Sequence, residues 1–114
     1  TQRQRARQQY FAGGPAYSTL CANSELMGDS YLALLERKGF GFQLLRDTFR
    51  SYQQLPPKQV PVSDDAKLQM WVVQQSKVAG LDFAPYYSLW GWPVSRETQA
   101  SLGALGKYDV AGFV

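Results

Sequence analysis

Few side chains in this sequence are equipped for covalent or acid–base chemistry. There is one cysteine, Cys21, and no histidine. Without histidine there is no Ser-His-Asp triad and no Cys-His dyad. An ordinary zinc site also lacks its donors, because a lone Cys leaves only carboxylates to complete it. The phosphate-cradling patterns G-x-x-x-x-G-K-[ST] and G-x-G-x-x-G are absent. Cys21, between Leu20 and Ala22, reads as a small buried hydrophobe and forms no internal disulfide. Carboxylate catalysis remains open in principle. Yet Glu25, Asp29, Glu36, Asp47, Asp64, Asp65, Asp82, Glu97 and Asp109 fall where helix caps and solvated faces account for them.

What remains is aromatic. The stretch YYSLWGWPVSRETQ, residues 86 to 99, puts Tyr86, Tyr87, Trp90 and Trp92 close together, interrupted by Gly91 and followed by Pro93 and Ser95. Such rings could form a stacking platform for a ring-shaped ligand. They could equally be the apolar end of one helix, a tight turn and the capped start of another. The elements around them decide between the two.

The chain has 114 residues, the size of one domain. A hydrophobic fraction of 45% and an aromatic fraction of 14% argue for a folded globule over a disordered segment. No apolar run approaches the roughly 20 residues that span a bilayer, and no charged-then-apolar signal segment opens the sequence. The net charge of +3 resides in Arg3, Arg5 and Arg7; the remaining nine basic residues balance nine acidic ones. A nucleic-acid-binding domain carries its cations on the folded body. Residues 1 to 9 therefore read as a solvated end or the edge of a helix, and no nucleic-acid partner is expected.

Gly13, Gly14 and Pro15 mark residues 11 to 23 as a turn or loop. Leu26, Met27, Tyr31, Leu34 and Leu35 then recur at helical spacing, which predicts a helix at about 25 to 38, with Arg37 and Lys38 in its last turn and Gly39 as its stop. Phe42, Leu45, Phe49 and Tyr52 form one apolar stripe, so a second helix is predicted from about 40 to 54, ended by Pro56-Pro57. The short link at Gly39 suggests a hairpin or a sharp corner. LPPKQVPV is an extended linker. Ser63 caps a third helix with Leu68, Trp71, Val72, Gln75 and Ala79 on one face and Gly80 as its stop. Asp82 caps a fourth, with Phe83, Tyr86, Tyr87 and Trp90 on its apolar side and Gly91 at its end. Ser95 caps a fifth, from Arg96 to Leu105.

No strand pattern competes. The expected class is all-α, about five short helices in a compact bundle. Residues 1–24 are a basic segment and Gly/Pro loop, residues 25–106 the helical unit, and residues 107–114 a tail. Phe83 and Trp90 have the spacing of core rings. Tyr86 and Tyr87 point in different directions, so at least one is expected to reach solvent or a partner. Trp92, in the turn beyond the helix end, is the ring expected to be partly exposed.

The order of these segments resembles a family. YYSLWGWPVS is similar to the Phe-x-x-Trp-Gly-Ile-Pro-Val-Ser signature of enhancin-type metallopeptidases, the mucin-degrading gluzincins of bacteria and insect viruses. YLALLERKGFGFQLLRDTFRSYQQLP, residues 31 to 56, is similar to that family's helix-Gly-aromatic-helix segment. In DDAKLQMWVVQQSKVAGLDFAPYY, residues Asp65, Lys67, Trp71, Ser76, Gly80 and Tyr87 stand at matching places. Together these pieces cover residues 26 to about 105.

The resemblance implies a fragment of a larger zincin catalytic domain. The family's chemistry rests on H-E-x-x-H and a downstream Glu, which hold zinc and activate its water. This sequence has no such motif, and the residues that follow Glu25 do not match those that follow the family's ligand Glu. By resemblance, the parent is a secreted or cell-surface zinc peptidase acting on glycoproteins such as mucins. This segment would be the C-terminal helical part of its peptidase domain. It would wall one side of the cleft, present Trp92, Tyr86, Tyr87 or the 28-to-31 turn to a glycoprotein or peptide substrate, and be inactive alone. Its implied partner is the remainder of that domain, and an isolated fragment would expose apolar surface that dimerisation buries. The alternative from another class is a stand-alone, non-catalytic interaction module with an exposed aromatic patch.

Overall fold

The computed structural model describes residues 2–36 and 40–111, and they begin with a helix. Helix α1 spans Gln2–Ala12. It is too polar to be stable alone, and its attachment comes from its last turns. There Tyr10 is buried, and its hydroxyl meets the Trp90 carbonyl at 2.5 Å and accepts from the Ala16 N–H at 3.1 Å. Residues 1–9 are thus helical where they are described, and Arg7 docks them on Asp29. Gly14, at φ +85°, makes the expected turn. The expected loop over 11–23 is only half right, because α2 (Tyr17–Cys21) lies within it and buries Leu20.

Helix α3 spans Ser24–Leu32, and the Asn23 side chain accepts from the Glu25 and Leu26 N–H groups at 3.1 Å each. A 3₁₀ turn, Ala33–Glu36, continues it and buries Leu34 and Leu35. The expected end of this helix at Arg37, Lys38 and Gly39, and the hairpin or corner at that link, lie outside the described residues. Helix α4 spans Gly41–Gln53 and α5 spans Asp64–Ala79. They run antiparallel. Phe40 and Gln43 sit beside Val78 and Ala79, and Gln74 donates to the Ser51 hydroxyl. The Ser63 hydroxyl caps α5 by accepting from Ala66 N–H at 3.1 Å, and Gly80 ends it at φ +71°.

Helix α6 spans Ala84–Leu89 and α7 spans Arg96–Ser101, so α7 stops short of the expected Leu105. The chain turns there because residues 106–107 do other work. β1 (Leu81–Asp82) and β2 (Gly106–Lys107) form a two-residue parallel pairing that no strand pattern announced. Tyr108 N–H extends it to the Asp82 carbonyl at 3.0 Å. Asp82 does act as a start signal: its carboxylate accepts from Ala84 N–H at 2.9 Å, at the first residue of α6. The described residues therefore hold seven α-helices where about five were expected, and the all-α class stands.

The core is centred on α6. Phe83, Tyr86, Tyr87 and Trp90 are fully buried, joined by Leu20, Leu34, Val72 and Leu102 from the surrounding elements. Helix α5 turns Leu68, Val72, Gln75 and Ser76 inward, close to the face expected for it. Helix α4 does not follow expectation. Its buried residues are Leu44 and Thr48, while Phe42 and Phe49 of the apolar stripe face outward. Apolar periodicity says that a stripe exists, but does not say whether this chain covers it.

Candidate functional site

The aromatic stretch is a knot. Trp92, expected to be partly exposed, is only 3% exposed, and Tyr86 and Tyr87 are both sealed. The expectation that one of these tyrosines reaches solvent is therefore corrected as well. The physical reason is α2 and α3, whose side chains cover the turn. Trp92 lies 4.4 Å from Tyr87, 5.2 Å from Tyr31 and 6.1 Å from Tyr17, ring centre to ring centre. Trp90 lies 4.9 Å from Phe11 and 5.9 Å from Tyr10 of α1. Tilted and edge-to-face rings at these distances favour one another beyond the area they bury.

The hydroxyls of Tyr86 and Tyr87 are spent on structure. Tyr86 donates to the Ser30 carbonyl at 2.7 Å. Tyr87 accepts from the Trp71 indole N–H at 2.9 Å and donates to the Gln75 side-chain oxygen. Burial holds both phenols above the ordinary value of 10.0, and Tyr87 is further raised by the neighbouring Tyr86. Neither is suited to give up a proton near neutral pH.

The turn after the knot is held from α5. Gln69 donates to the Pro93 carbonyl at 2.7 Å and accepts from Ser95 N–H at 3.0 Å and from the Thr98 hydroxyl at 2.7 Å. Ser95 in turn caps α7 by accepting from Thr98 N–H at 3.1 Å. Gly91 has φ +93°, and a Cβ there would stand 3.1–3.2 Å from the backbone of Ala16 and Tyr17. The Trp-Gly-Trp-Pro sequence is thus what a tight turn needs when it is pressed against another segment's backbone.

The open concavity lies elsewhere. A groove of about 390 Å³ runs between α1 and α3, lined by Arg3, Ala6, Asn23, Glu25, Leu26 and Leu32 among others. That volume is within the usual range of ligand pockets. Gly28 lines it with open space where a side chain would be. The 28-to-31 segment is helix rather than turn, and it divides: Gly28 faces the groove, Asp29 and Ser30 are buried, and Tyr31 is half-buried. Beneath the groove, Arg7 clasps the Asp29 carboxylate with two hydrogen bonds of 2.8 and 2.9 Å. Arg3 adds a contact to Asp29 at 3.3 Å and pairs with Glu36. Asp29, expected on a solvated face, is a buried anion. A buried carboxylate is tolerable when bound two-pronged by a guanidinium. The hint was available: Arg3 and Arg7 are four residues apart, on one face of a helix.

The remaining acids and the lone thiol stand apart from one another. Glu25 is exposed in the first turn of α3, where a carboxylate favours the helix dipole. Cys21 is exposed, contrary to the buried role expected of it. Among the described residues no group of three or more His, Cys, Asp or Glu is placed to hold a metal ion. With no histidine in the chain, its donors do not fit a catalytic zinc.

Comparison with known proteins supplies a family. The chain is 32% identical over 81 residues to the TRPM8 channel-associated factor 2 of Bos taurus, covering 71% of this chain and 8% of that protein. It is 34% identical to the TRPM8 channel-associated factor 3 of Rattus norvegicus over the same share of each. A TRPM8 channel-associated factor homolog of Danio rerio matches at 29% over 103 residues, 90% of this chain and 11% of that protein. All three are vertebrate proteins, not the bacterial and viral enzymes that the resemblance brought forward. The chain spans about a tenth of the length of these relatives. No solved structure matches. The family pattern described as Peptidase M60, enhancin and enhancin-like, matches residues 1–91, and so takes in α1 and α2 as well as the segments from residue 26 onward. The chain belongs to that family, the M60 enhancin-like peptidases.

Proposed function

We propose that this chain is a non-catalytic helical part of an M60-type peptidase domain, which supports the cleft while other segments carry the zinc ligands and the general base. The observation that carries this reading is family membership in a chain without histidine. In this reading Trp92, Tyr86 and Tyr87 act as framework, and a glycoprotein or peptide substrate meets the groove between α1 and α3. The parent protein would be secreted or at the cell surface and would hold zinc when active.

The test is zinc-dependent cleavage of a mucin-type glycoprotein by three samples: the longer protein, the longer protein without residues 2–111, and this chain alone. Cleavage by the first only supports the proposal. Cleavage by the chain alone, or unchanged cleavage after the deletion, would overturn it.

A second reading has its own support. The relatives are named for association with the TRPM8 channel. A binding module without enzymatic activity would fit that name. Purified chain binding to the detergent-solubilised channel, with no cleavage by the longer protein, would favour it.

A further inference from the structure

Helix α4 carries an apolar stripe that the described residues leave uncovered. At about 100° per residue, Phe42, Leu45, Phe49 and Tyr52 share one face, displaced from the buried line of Leu44 and Thr48. Phe42 is 72% and Phe49 56% exposed, while Leu45 and Tyr52 are half-buried. The stripe has a firm floor, because Trp71 of α5 contacts Phe49 edge-on at 5.5 Å and stacks on Tyr52 at 6.3 Å. Arg46 and Arg50 are both exposed and one helical turn apart along its outer edge. Neither forms an ion pair among the described residues, whereas Arg3 and Arg7 both do.

We infer that this face is the seat of an amphipathic helix whose apolar ridge packs on Phe42 and Phe49 and whose paired carboxylates, one turn apart, meet Arg46 and Arg50. Three features select this occupant. A straight row of knobs suits a helix ridge better than an extended peptide. The rim is basic, so its complement is acidic. The relatives are about ten times longer than the matched stretch, so chain is available to supply the helix. The inference rests on the reading of this chain as one part of a larger peptidase domain, and it names the surface by which the part is joined.

The probe is a synthetic peptide of about three heptads with a leucine ridge and glutamates one turn apart, titrated into this chain by calorimetry. A second peptide carries lysine in place of each glutamate. The glutamate peptide should bind, and Phe42→Ala and Phe49→Ala should each weaken it by about tenfold or more. The double variant Arg46→Glu/Arg50→Glu should reverse the preference, losing the glutamate peptide and gaining the lysine one. All four positions are exposed or rim positions, so thermal melts of the variants should match the unmodified chain.

Equal binding of both peptides, or no binding of either, overturns the inference. So does self-association abolished by Phe42→Ala without peptide binding, since the occupant is then a second copy of the chain. If the peptides fail to bind while the longer protein still loses cleavage on deletion of residues 2–111, only this docking surface falls. If the chain cleaves alone, the domain reading falls whatever the peptides do.

Discussion

The knot around Trp90 and Trp92 and the outer face of α4 are built from the same kinds of residue and end in opposite environments. Both are rows of aromatic rings at helical or near-helical spacing. In the knot, α1, α2 and α3 close over the rings, and the hydroxyls of Tyr10, Tyr86 and Tyr87 find partners within the chain. On α4 the rings lie on a floor of Trp71 and meet no lid among the described residues. The difference is topological. An aromatic cluster becomes core or surface according to which segments return to it, and those segments are remote in sequence. The concealed cluster holds the fold, and the open one is free to join something else.

Truncation separates the two regions most sharply. Trp92→Ala removes a buried ring touching Tyr17, Tyr31 and Tyr87, and should cost about 3–5 kcal/mol. Urea unfolding would measure this, and a midpoint that barely moves would return Trp92 to the surface. Gly91→Ala comes next. It forces a side chain into a left-handed backbone pressed on Ala16 and Tyr17, and should cost about 1–3 kcal/mol in the same assay.

Alkaline titration sharpens the contrast without mutation. Burial pushes Tyr17, which packs on Trp92, up to about 12, and raises Tyr86 and Tyr87 as well. The folded state therefore favours the neutral phenols. Their contribution to stability is complete below the ordinary value of 10.0 and is lost as pH rises through 12 and beyond. Tyrosinate absorbance from the knot should appear together with loss of helical circular dichroism. Titration of Tyr86 and Tyr87 near their ordinary value with helix intact would contradict the sealed knot. The smallest effect belongs to the open face, where Phe42→Ala should change stability by no more than about 0.5 kcal/mol.

Local chemistry is legible in the sequence where it acts locally. Ser63 and Ser95 announce helix starts by supplying an acceptor, and Gly80 and Gly91 announce stops by tolerating positive φ. The lack of histidine points away from a histidine-based catalytic centre within the chain. Remote partnerships are not legible. Trp92 looks exposed only if Tyr17 and Tyr31 are ignored, and nothing in the turn itself mentions them. The Arg-Gln segment of α1 looks solvated because its partner, Asp29, is 22 residues from Arg7. The stripe on α4 is present as its spacing predicts, but periodicity fixes a direction on the helix and not what faces it.

The most direct test of the central claim is hydrogen exchange at the three indole N–H groups, followed by NMR in this chain with and without a mucin glycopeptide. If the knot is framework, the indoles of Trp90 and Trp92 exchange only through global unfolding, and the glycopeptide leaves the Trp92 resonance in place. Rapid exchange at Trp92, or a shift of its indole signal on adding glycopeptide, would make the Trp-Gly-Trp turn a ligand platform and contradict its role as framework.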